Sequence, residues 1–314
     1  MNIIIVTPAP AGSRKGNRVT AVRWGRLLRE LGHRVTIRQE YRNERCDLLV
    51  ALHARRSFAA IERFRARHPD SPVVVALTGT DLYGEIHTDR TARRSLELAT
   101  RLVVLQPLGL EELPGRLRGK GRVIYQSTRA PRLKRSQRKT FQVCVLGHLR
   151  PVKDPFRTAL AARLLPARSR VRVLHVGAAL TPEMAAQACA EMERNPRYRW
   201  LGELPRWKAL RVVGQSHLLV LTSLMEGGAN AISEAIVAAV PVLSSRIAGS
   251  MGLLGADYPG YFPVGDTRDL AGLLERAESD ASFYNKLRTW CGGLRPLFHP
   301  SRERESWRKL LSEL

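Results

Sequence analysis

The segment Ser223–Leu243 constrains the fold of this chain most strongly. An apolar run precedes it at His217–Ser223, and a second run, Val240–Ser245, overlaps its end. Between them, Gly227–Gly228 stands where the pattern predicts the start of a helix. The order is strand, turn, helix and strand, with the turn at the carboxyl end of a parallel strand. Open α/β sheets bind ligands at such turns.

Two glutamates in this segment indicate the kind of ligand. Glu226 and Glu234 are separated by seven residues, so both carboxylates are expected near one helix face. The N–H groups at a helix N-terminus favour phosphate, and carboxylates accept hydrogen bonds from sugar hydroxyls. A nucleotide sugar carries both groups. The alternative is an ordinary helix with one exposed and one capping glutamate.

Length and composition fit two domains. The chain has 314 residues, 44 % of them hydrophobic, which suits about two domains of ~150 residues. The four cysteines form no C-x-x-C pair and indicate neither zinc nor disulfides. No run approaches the ~18 apolar residues that span a bilayer. The N-terminus reads as a first strand rather than a leader, which predicts a cytoplasmic protein.

Strand and helix patterns alternate, which predicts parallel sheets with right-handed crossovers. Further strands are predicted at Asn2–Thr7, His33–Gln39, Cys46–Ser57, Pro72–Tyr83, Arg101–Gln106, Gly121–Gln126, within Phe141–Phe156, at Val171–Gly177 and within Tyr198–Pro205. The predicted organisation is a first domain over 1–129, a basic linker over 130–140, a second domain over 141–294 and a C-terminal helix over 295–314.

Capping residues predict where three helices begin. Asn17 is expected to cap a helix whose apolar stripe is formed by Trp24, Leu27, Leu28 and Leu31. Asp154 followed by Pro155 predicts a second start, and Thr181 followed by Pro182 a third. Arg246–Asp266 is rich in glycine and turn residues and is expected to be a loop.

The first domain is expected to bind a small anion. Strand ends and the first helix start bring together backbone donors, hydroxyls and cations that suit oxyanions. The candidates are Gly12, Ser13, Lys15, Gly16, Asn17, Arg18, His53, Arg55, Arg56, Ser57, Thr78, Gly79, Thr80 and Asp81. The alternative is an ordinary strand-helix connection with a buried core histidine and solvated arginines.

The second domain is expected to bind a diphosphate. Lys153 and Arg150 follow the glycine that ends its first strand, Gly147. Gly249, Ser250 and Met251 are expected to return to the same crevice with backbone N–H groups.

The net charge of +24 raises a different possibility, a non-catalytic nucleic-acid-binding protein. The basic residues are spread along the whole chain and accompany no nucleic-acid-binding motif. We therefore expect no nucleic-acid partner, and interpret the charge as a field that attracts anionic substrates.

These patterns together resemble the GT-B-fold glycosyltransferases with an E-x7-E motif: two Rossmann-like, doubly wound parallel sheets facing a central cleft. The resemblance implies that Glu226 holds the donor sugar and Glu234 the ribose, while Lys153 neutralises the leaving diphosphate. It implies backbone contacts from Gly227, Gly228, Ala229 and Asn230, no metal or other cofactor, and a C-terminal helix that packs back on the first domain. Where the family carries an arginine after the glycine, this chain has His148, and Arg150 is a weaker substitute.

A more specific resemblance rests on LHARRS, LTGTDLY, VIYQS, LGHLRPVKDP, MEGGAN and LGADYPGYF in this order. Together they are similar to the selenosugar synthases of selenoneine biosynthesis. This implies transfer of a sugar from a UDP-sugar, such as UDP-N-acetylglucosamine, to selenophosphate, with release of UDP and phosphate. His53 would then assist loss of the phosphoryl group. Selenophosphate synthetase and a downstream selenoneine synthase are implied as pathway partners.

An ordinary GT-B transferase acting on an oxygen acceptor, a lipid or polysaccharide, is the main alternative. Lipid-modifying relatives usually present an exposed basic amphipathic helix with aromatic anchors. The first helix here is basic, but Trp24 falls on its apolar stripe and is interpreted as core.

Overall fold

The computed structural model describes residues 1–129 and 139–314. Numbered along the chain, the strands are β1 Asn2–Val6, β2 Arg34–Arg38, β3 Leu48–Leu52, β4 Val73–Ala76, β5 Arg101–Val104, β6 Gly121–Val123, β7 Phe141–Leu146, β8 Val171–Val176, β9 Tyr198–Trp200, β10 Leu218–Leu221, β11 Val242–Ser245 and β12 Tyr261–Phe262.

The α-helices are α1 Gly16–Glu30, α2 Phe58–Arg67, α3 Ile86–Thr88, α4 Arg90–Leu98, α5 Arg157–Arg163, α6 Pro182–Arg194, α7 Arg206–Gln215, α8 Asn230–Val237, α9 Ala248–Leu254, α10 Thr267–Ser279, α11 Ala281–Gly293 and α12 Pro300–Leu311. A π-helical turn spans Asp81–Glu85, and 3₁₀ turns span Pro107–Leu110, Gly115–Lys120, Pro151–Lys153 and Arg295–Phe298.

The first six strands form a parallel sheet in the order β2-β1-β3-β4-β5-β6. Strands β3 and β4 read LLVAL and VVVA, and all of their residues are buried. Continuous apolar runs of this kind are expected where helices cover both faces of a sheet. Residue contacts group the sheet into a compact unit that comprises Met1–Ser127, Glu226–Gly228 and Pro300–Leu314.

Helix α12 completes the core of this first unit. Its Trp307 packs edge-on against Trp24 of α1 with ring centroids 4.9 Å apart. The buried carboxylate of Glu303 accepts hydrogen bonds from Trp24 Nε1 at 2.7 Å and Ser127 N at 2.8 Å, and Arg23 Nε lies 3.1 Å away. These partners compensate a charge that would otherwise be costly to bury.

The second unit comprises Thr128–Met225 and Ala229–His299. Its sheet is also parallel, in the order β12-β11-β10-β7-β8-β9. Two parallel six-stranded sheets with flanking helices confirm the predicted α/β class. Within the predicted linker 130–140, residues 130–138 lie outside the described residues, and the proposed domain boundaries stay a prediction.

The apolar stripe of α1 is confirmed, because Trp24, Leu27 and Leu28 are fully buried and Leu31 packs beside them. The start of α6 is confirmed as well: Thr181 Oγ1 accepts the N–H of Met184, and Pro182 is the first helical residue.

Two predicted helix starts are wrong. Helix α1 begins at Gly16, with Lys15 at the capping position, so Asn17 already lies inside the helix. Helix α5 begins only at Arg157, because the 3₁₀ turn Pro151–Lys153 is followed by Asp154 in the left-handed conformation, with a φ of 42°. The Asp154 carboxylate lies 2.7 Å from Arg157 Nε instead of capping the helix.

Two segments that were predicted as uniform are divided. The strand predicted at Pro72–Tyr83 ends at Ala76, and Asp81 opens a π-helical turn, because its carboxylate binds nearby backbone N–H groups. The loop predicted at Arg246–Asp266 contains α9 and β12.

Candidate active site

The strand order of the second sheet reverses between β7 and β10, although all of its strands are parallel. Strands β8 and β9 follow on one side of β7, while β10, β11 and β12 lie on the other. Ligands of open α/β sheets bind outside the carboxyl ends of the strands at such a reversal. The two loops at this point are the Gly147–Lys153 loop and the Thr222–Leu224 segment that follows β10.

Hydrogen bonds join the loop that follows β7 to the segment that follows β10. Thr222 Oγ1 lies 2.9 Å from the carbonyl oxygens of Lys153 and Asp154 and donates there. Leu224 N donates to Val152 O at 2.9 Å. A small cleft lies here, and it is lined by residues that include Gly147, His148, Lys153, His175, Thr222 and Ser223. The fold therefore holds the backbone of Lys153 beside the end of β10.

The Gly147–His148 turn is fixed from β8. Gly147 N donates to Val176 O at 2.9 Å, and Leu149 N donates to Ala178 O at 2.8 Å. His175 Nε2 lies 3.1 Å from Gly147 O, and Ala178 N lies 3.1 Å from His148 Nδ1. Sequence reasoning missed His175, although a histidine inside the apolar run before Gly177 was a signal for it.

The E-x7-E glutamates do not share a helix. Glu226 and the Gly227–Gly228 pair lie in the loop before α8, which begins at Asn230, and Glu234 lies in the second turn. The expectation that both carboxylates lie on one helical face is therefore wrong, because the helix starts after the glycines. Both side chains are nonetheless buried, Glu226 at 9 % and Glu234 at 4 % exposure.

Glu234 has a partner that the sequence did not reveal. Arg206, the first residue of α7, places Nη1 at 2.6 Å from Glu234 Oε1. Its Nη2 donates to Thr128 Oγ1 at 3.2 Å. The guanidinium compensates the buried carboxylate and fixes its orientation.

Other residues predicted to bind the diphosphate make hydrogen bonds within the protein. Ser250 N donates to the carbonyl of Ile247, the capping residue of α9, at 3.0 Å, and its hydroxyl oxygen accepts from Ser244 Oγ at 2.8 Å. Met251 N also donates to Ile247 O. Gly249 lies buried beside them in the same short helix. The backbone N–H groups of Ser250 and Met251 therefore already have a hydrogen-bond acceptor at the start of α9. Arg150 precedes the 3₁₀ turn in extended conformation.

The strand order of the first sheet reverses between β1 and β3. His53 follows β3 with a φ of 78° and 3 % exposure. Its Nε2 lies 3.3 Å from Thr80 Oγ1, and its Nδ1 lies 3.7 Å from Glu85 Oε2. A histidine held in the left-handed region is unusual and costs about 1 kcal/mol or more, so the surrounding contacts must impose it.

Several predicted anion ligands near His53 have structural partners. Asp81 is fully buried and accepts from Ala54 N at 3.0 Å, Thr78 N at 2.9 Å and Gly79 N at 2.8 Å. Ser57 Oγ donates to Leu52 O at 2.7 Å. Asp81 and Ser57 therefore fix the backbone at the strand ends. A bound anion would contact neighbouring residues rather than these two side chains.

The two arginines near His53 differ in their surroundings. Arg55 Nε lies 3.0 Å from Glu85 Oε2, and this carboxylate raises the pKa of the Arg55 guanidinium. Arg56 is exposed, and its N–H lies 3.4 Å from His53 Nδ1. An anion bound by Arg55 would have to compete with or share the Glu85 contact.

The loop after β1 supplies the remaining first-unit candidates. Gly12 has a φ of 79°, and Lys15, Gly16, Asn17 and Arg18 form the start of α1. The buried Ser13 Oγ has no hydrogen-bond partner among the described residues. A buried hydroxyl in that state is a candidate ligand contact.

Two classes of feature are absent from the described ranges. In residues 1–129 and 139–314, no cluster of three or more His, Cys, Asp or Glu side chains could hold a metal. No helix within these same ranges is long and apolar enough to cross a membrane.

Two doubly wound parallel sheets, each with candidate ligand loops at its reversal point, define the GT-B class of glycosyltransferase fold. The family model for glycosyl transferases group 1 matches residues 127–289, and the chain belongs to this family. No curated protein sequence matches the chain.

Solved structures share this fold over the whole chain. HepE of Anabaena, in complex with UDP and glucose, is 17 % identical with a TM-score of 0.79, and all of both chains is covered. Sucrose-phosphate synthase of Thermosynechococcus elongatus is 14 % identical with a TM-score of 0.76, covering 99 % of this chain and 98 % of that one. A glycosyltransferase from Rickettsia africae is 11 % identical with a TM-score of 0.75 and the same coverage.

Proposed function

We propose that this chain is a selenosugar synthase, which transfers a sugar from a UDP-sugar to selenophosphate in selenoneine biosynthesis. Membership of the glycosyltransferase family supports the transfer, and UDP in the HepE complexes supports the donor class. The observation that carries the acceptor is the buried His53 beside Arg55 and Arg56, within the LHARRS motif of the resemblance. The cytoplasmic location remains a prediction.

The donor is assigned to the second-unit loops and the E-x7-E segment. Lys153 neutralises charge that develops on the leaving diphosphate, which stabilises the transition state more than the ground state. Glu226 binds hydroxyls of the transferred sugar, and Glu234 binds the ribose in an orientation set by Arg206. Gly147, His148 and the Gly227–Asn230 backbone complete this set.

Selenophosphate is assigned to the first unit. An anion of this size requires several N–H and O–H donors, because its desolvation is costly unless each oxygen is bound. Arg55, Arg56, Thr80 and the Ser13 hydroxyl supply donors, and the start of α1 supplies backbone N–H groups. His53 lies 3.3 Å from the Thr80 hydroxyl, where it could deliver a proton during phosphoryl loss.

The proposed chemistry has two steps. The selenium of selenophosphate attacks the anomeric carbon, a C–Se bond forms, and the C–O bond to UDP breaks with UDP as the leaving group. Water then cleaves the Se–P bond, which gives phosphate and the 1-selenosugar. Selenium is intrinsically nucleophilic, so the first step needs no strong base, and no metal or cofactor is assigned to either step. Exclusion of water protects both substrates from hydrolysis.

The direct test is UDP release from UDP-N-acetylglucosamine by the purified protein under anaerobic conditions. We expect release to require selenophosphate and the products to contain selenium by mass spectrometry. Equal release with and without selenophosphate, and no selenium in the sugar product, would reject the acceptor. The chain would then be a GT-B transferase acting on an oxygen acceptor, as the neighbouring O-GlcNAc transferase GtfA is by name.

A further inference from the structure

The π-helical turn Asp81–Glu85 brings a carboxylate to the predicted anion ligands at the end of β3. Asp81 at its start is fully buried, and its carboxylate accepts hydrogen bonds from three backbone N–H groups. Glu85 at its end lies beside His53, with a side chain that is 19 % exposed. π-helical turns are rare and frequently occur at functional sites. The turn therefore adds Glu85, which sequence reasoning had not included, to the groups around His53.

One oxygen of Glu85 is buried and depends on an exposed side chain to compensate its charge. Oε2 lies 3.0 Å from Arg55 Nε and 3.7 Å from His53 Nδ1. In the part of the chain that the structure describes, Oε2 has no well-directed hydrogen bond. The Arg55 side chain beside it is 43 % exposed, so the guanidinium can turn towards a ligand. Oε2 would then need another donor, because a buried carboxylate oxygen without a partner is costly.

The charges at this position disfavour a fully ionised anion. Arg55 and the exposed Arg56 attract anions, but the Glu85 carboxylate belongs to the same group and lies 3.0 Å from Arg55 Nε. A sulfate-type anion offers only acceptors, so it repels the carboxylate and leaves Oε2 without a donor. Like charges brought together in this way lower the affinity for the wrong ligand.

A tetrahedral anion that retains a proton suits both kinds of group. Anions of the phosphate type carry a P–OH group at neutral pH, whereas sulfate carries no proton. Their ionised oxygens can accept hydrogen bonds from the two arginines and from the Thr80 hydroxyl, which lies 3.3 Å from His53 Nε2. The P–OH group can donate to Glu85, because an ionised carboxylate only accepts. Selenophosphate and the phosphate that the proposed reaction releases belong to this class.

We propose that the first unit binds proton-bearing anions of the phosphate type, and that Glu85 determines this specificity by accepting their hydroxyl and repelling fully ionised anions such as sulfate. This rests on the acceptor half of the proposed function and adds to it the residue that selects the anion. Arg55 attracts every anion, and Glu85 creates the difference between them. Specificity is a difference of affinities, and an unpaired charge against the wrong ligand is one way to obtain it.

Calorimetry with two matched pairs of anions measures this selectivity. Phosphate and sulfate are similar in size and shape, as are arsenate and selenate, but only phosphate and arsenate carry a proton at slightly alkaline pH. We expect the purified protein to bind each proton-bearing anion about tenfold more tightly than its partner, as for a hydrogen bond to a charged group. Equal affinities within each pair would overturn the proposal.

Glu85→Gln removes the negative charge and keeps the shape of the side chain. Sulfate and selenate should then bind to within about threefold of phosphate and arsenate, because the repulsion is removed and the amide can donate to them. Glu62→Gln, at an exposed glutamate of α2, is the matched control and should keep the selectivity of wild type. An unchanged ratio in Glu85→Gln, including equal weakening of all four anions, would make Glu85 only a support for Arg55 and contradict its role.

Arg55→Ala shows where the anions bind. This variant should weaken the binding of all four anions by a similar factor, because the guanidinium attracts them whether or not they carry a proton. Unchanged affinities would show that the anions bind elsewhere on the protein and would reject the site.

These titrations need neither a sugar donor nor selenophosphate. Phosphate selectivity that depends on Glu85, without any selenium transfer, would keep this inference and reject only the synthase. Selenium transfer, with a selectivity that does not depend on Glu85, would keep the synthase and reject this inference. A wild-type protein that binds none of the four anions would reject the anion site and the role of Glu85 with it.

Discussion

Glu226 is the residue on which transfer of the sugar depends most in the proposed reaction. It is 9 % exposed and lies between the end of β10 and the glycine pair. Glu226→Ala should lower kcat by about a hundredfold or more while some UDP binding remains, because its proposed contact is to the reacting sugar. Steady-state kinetics and UDP calorimetry measure the two effects. Glu193→Ala, an exposed glutamate of α6, is the control, and unchanged turnover in Glu226→Ala would remove it from the site.

Arg55 tests the assignment of selenophosphate to the first unit. Arg55→Ala should raise the KM for selenophosphate about tenfold and change the KM for the UDP-sugar little, since an Arg–oxyanion contact is lost. The exposed Arg67 at the end of α2 offers a variant with the same loss of charge, and Arg67→Ala should change neither constant. Equal increases in both KM values would refute the division of substrates between the units.

Arg206 tests the ribose role of Glu234. Arg206→Ala should weaken UDP binding and reduce the preference for UDP over 2′-deoxy-UDP, because Glu234 loses the contact that orients it. We expect about a tenfold loss of UDP affinity, typical of a charge-assisted hydrogen bond. Arg211→Ala, an exposed arginine on the same helix, should bind both nucleotides normally. An unchanged preference in Arg206→Ala would separate Arg206 from ribose recognition.

At the scale of elements, sequence patterns predicted the strands better than the helix starts. Runs such as LLVAL and VVVA identify buried strands because both faces of a parallel sheet are apolar. Asn17 and Asp154 were good capping residues by type, yet neither caps a helix. Capping preferences are only about 1 kcal/mol, and at Asp154 the carboxylate contacts Arg157 while the carbonyl accepts from Thr222 instead.

The sequence predicted which loops form the candidate site, but it did not predict the distant residues that contact them. The glycine pair and the lysine loop follow from local sequence, and the structure places Gly147, His148 and Lys153 around one cleft. The Arg206–Glu234 pair and the His175–Gly147 contact join residues 28 positions apart. No local pattern encodes such pairs, because they depend on the strand order of the sheet.

The buried His175 of β8 should make the free energy of unfolding depend on pH. The pKa of His175 falls from 6.5 to about 4 in the folded chain because the ring is buried. As the pH falls, the unfolded chain takes up a proton on His175 near pH 6.5, whereas the folded chain does so only near pH 4. This contribution to the free energy of unfolding is therefore fully present above pH 6.5, and about 3 kcal/mol is lost as the pH falls towards 4. Denaturant unfolding of wild type and His175→Gln measures this. The variant should lack this component, and parallel pH profiles would contradict it.

At the scale of the whole molecule, the net charge of +24 should influence rates more than fold. Both proposed substrates are anions, so kcat/KM should decrease as salt rises, because screening shortens the range of the field to about 10 Å at 0.1 M. At saturating substrate kcat should change little. A kcat/KM that is independent of salt would show that the charge has no part in substrate capture.

In the proposed reaction, the anomeric carbon becomes bonded to selenium. This bond can be detected by NMR of the product made from UDP-N-acetylglucosamine labelled with ¹³C at C1 and from ⁷⁷Se-selenophosphate. We expect a one-bond coupling between ¹³C1 and ⁷⁷Se that appears together with UDP. UDP release with C1 bonded to oxygen, and no such coupling, would contradict it.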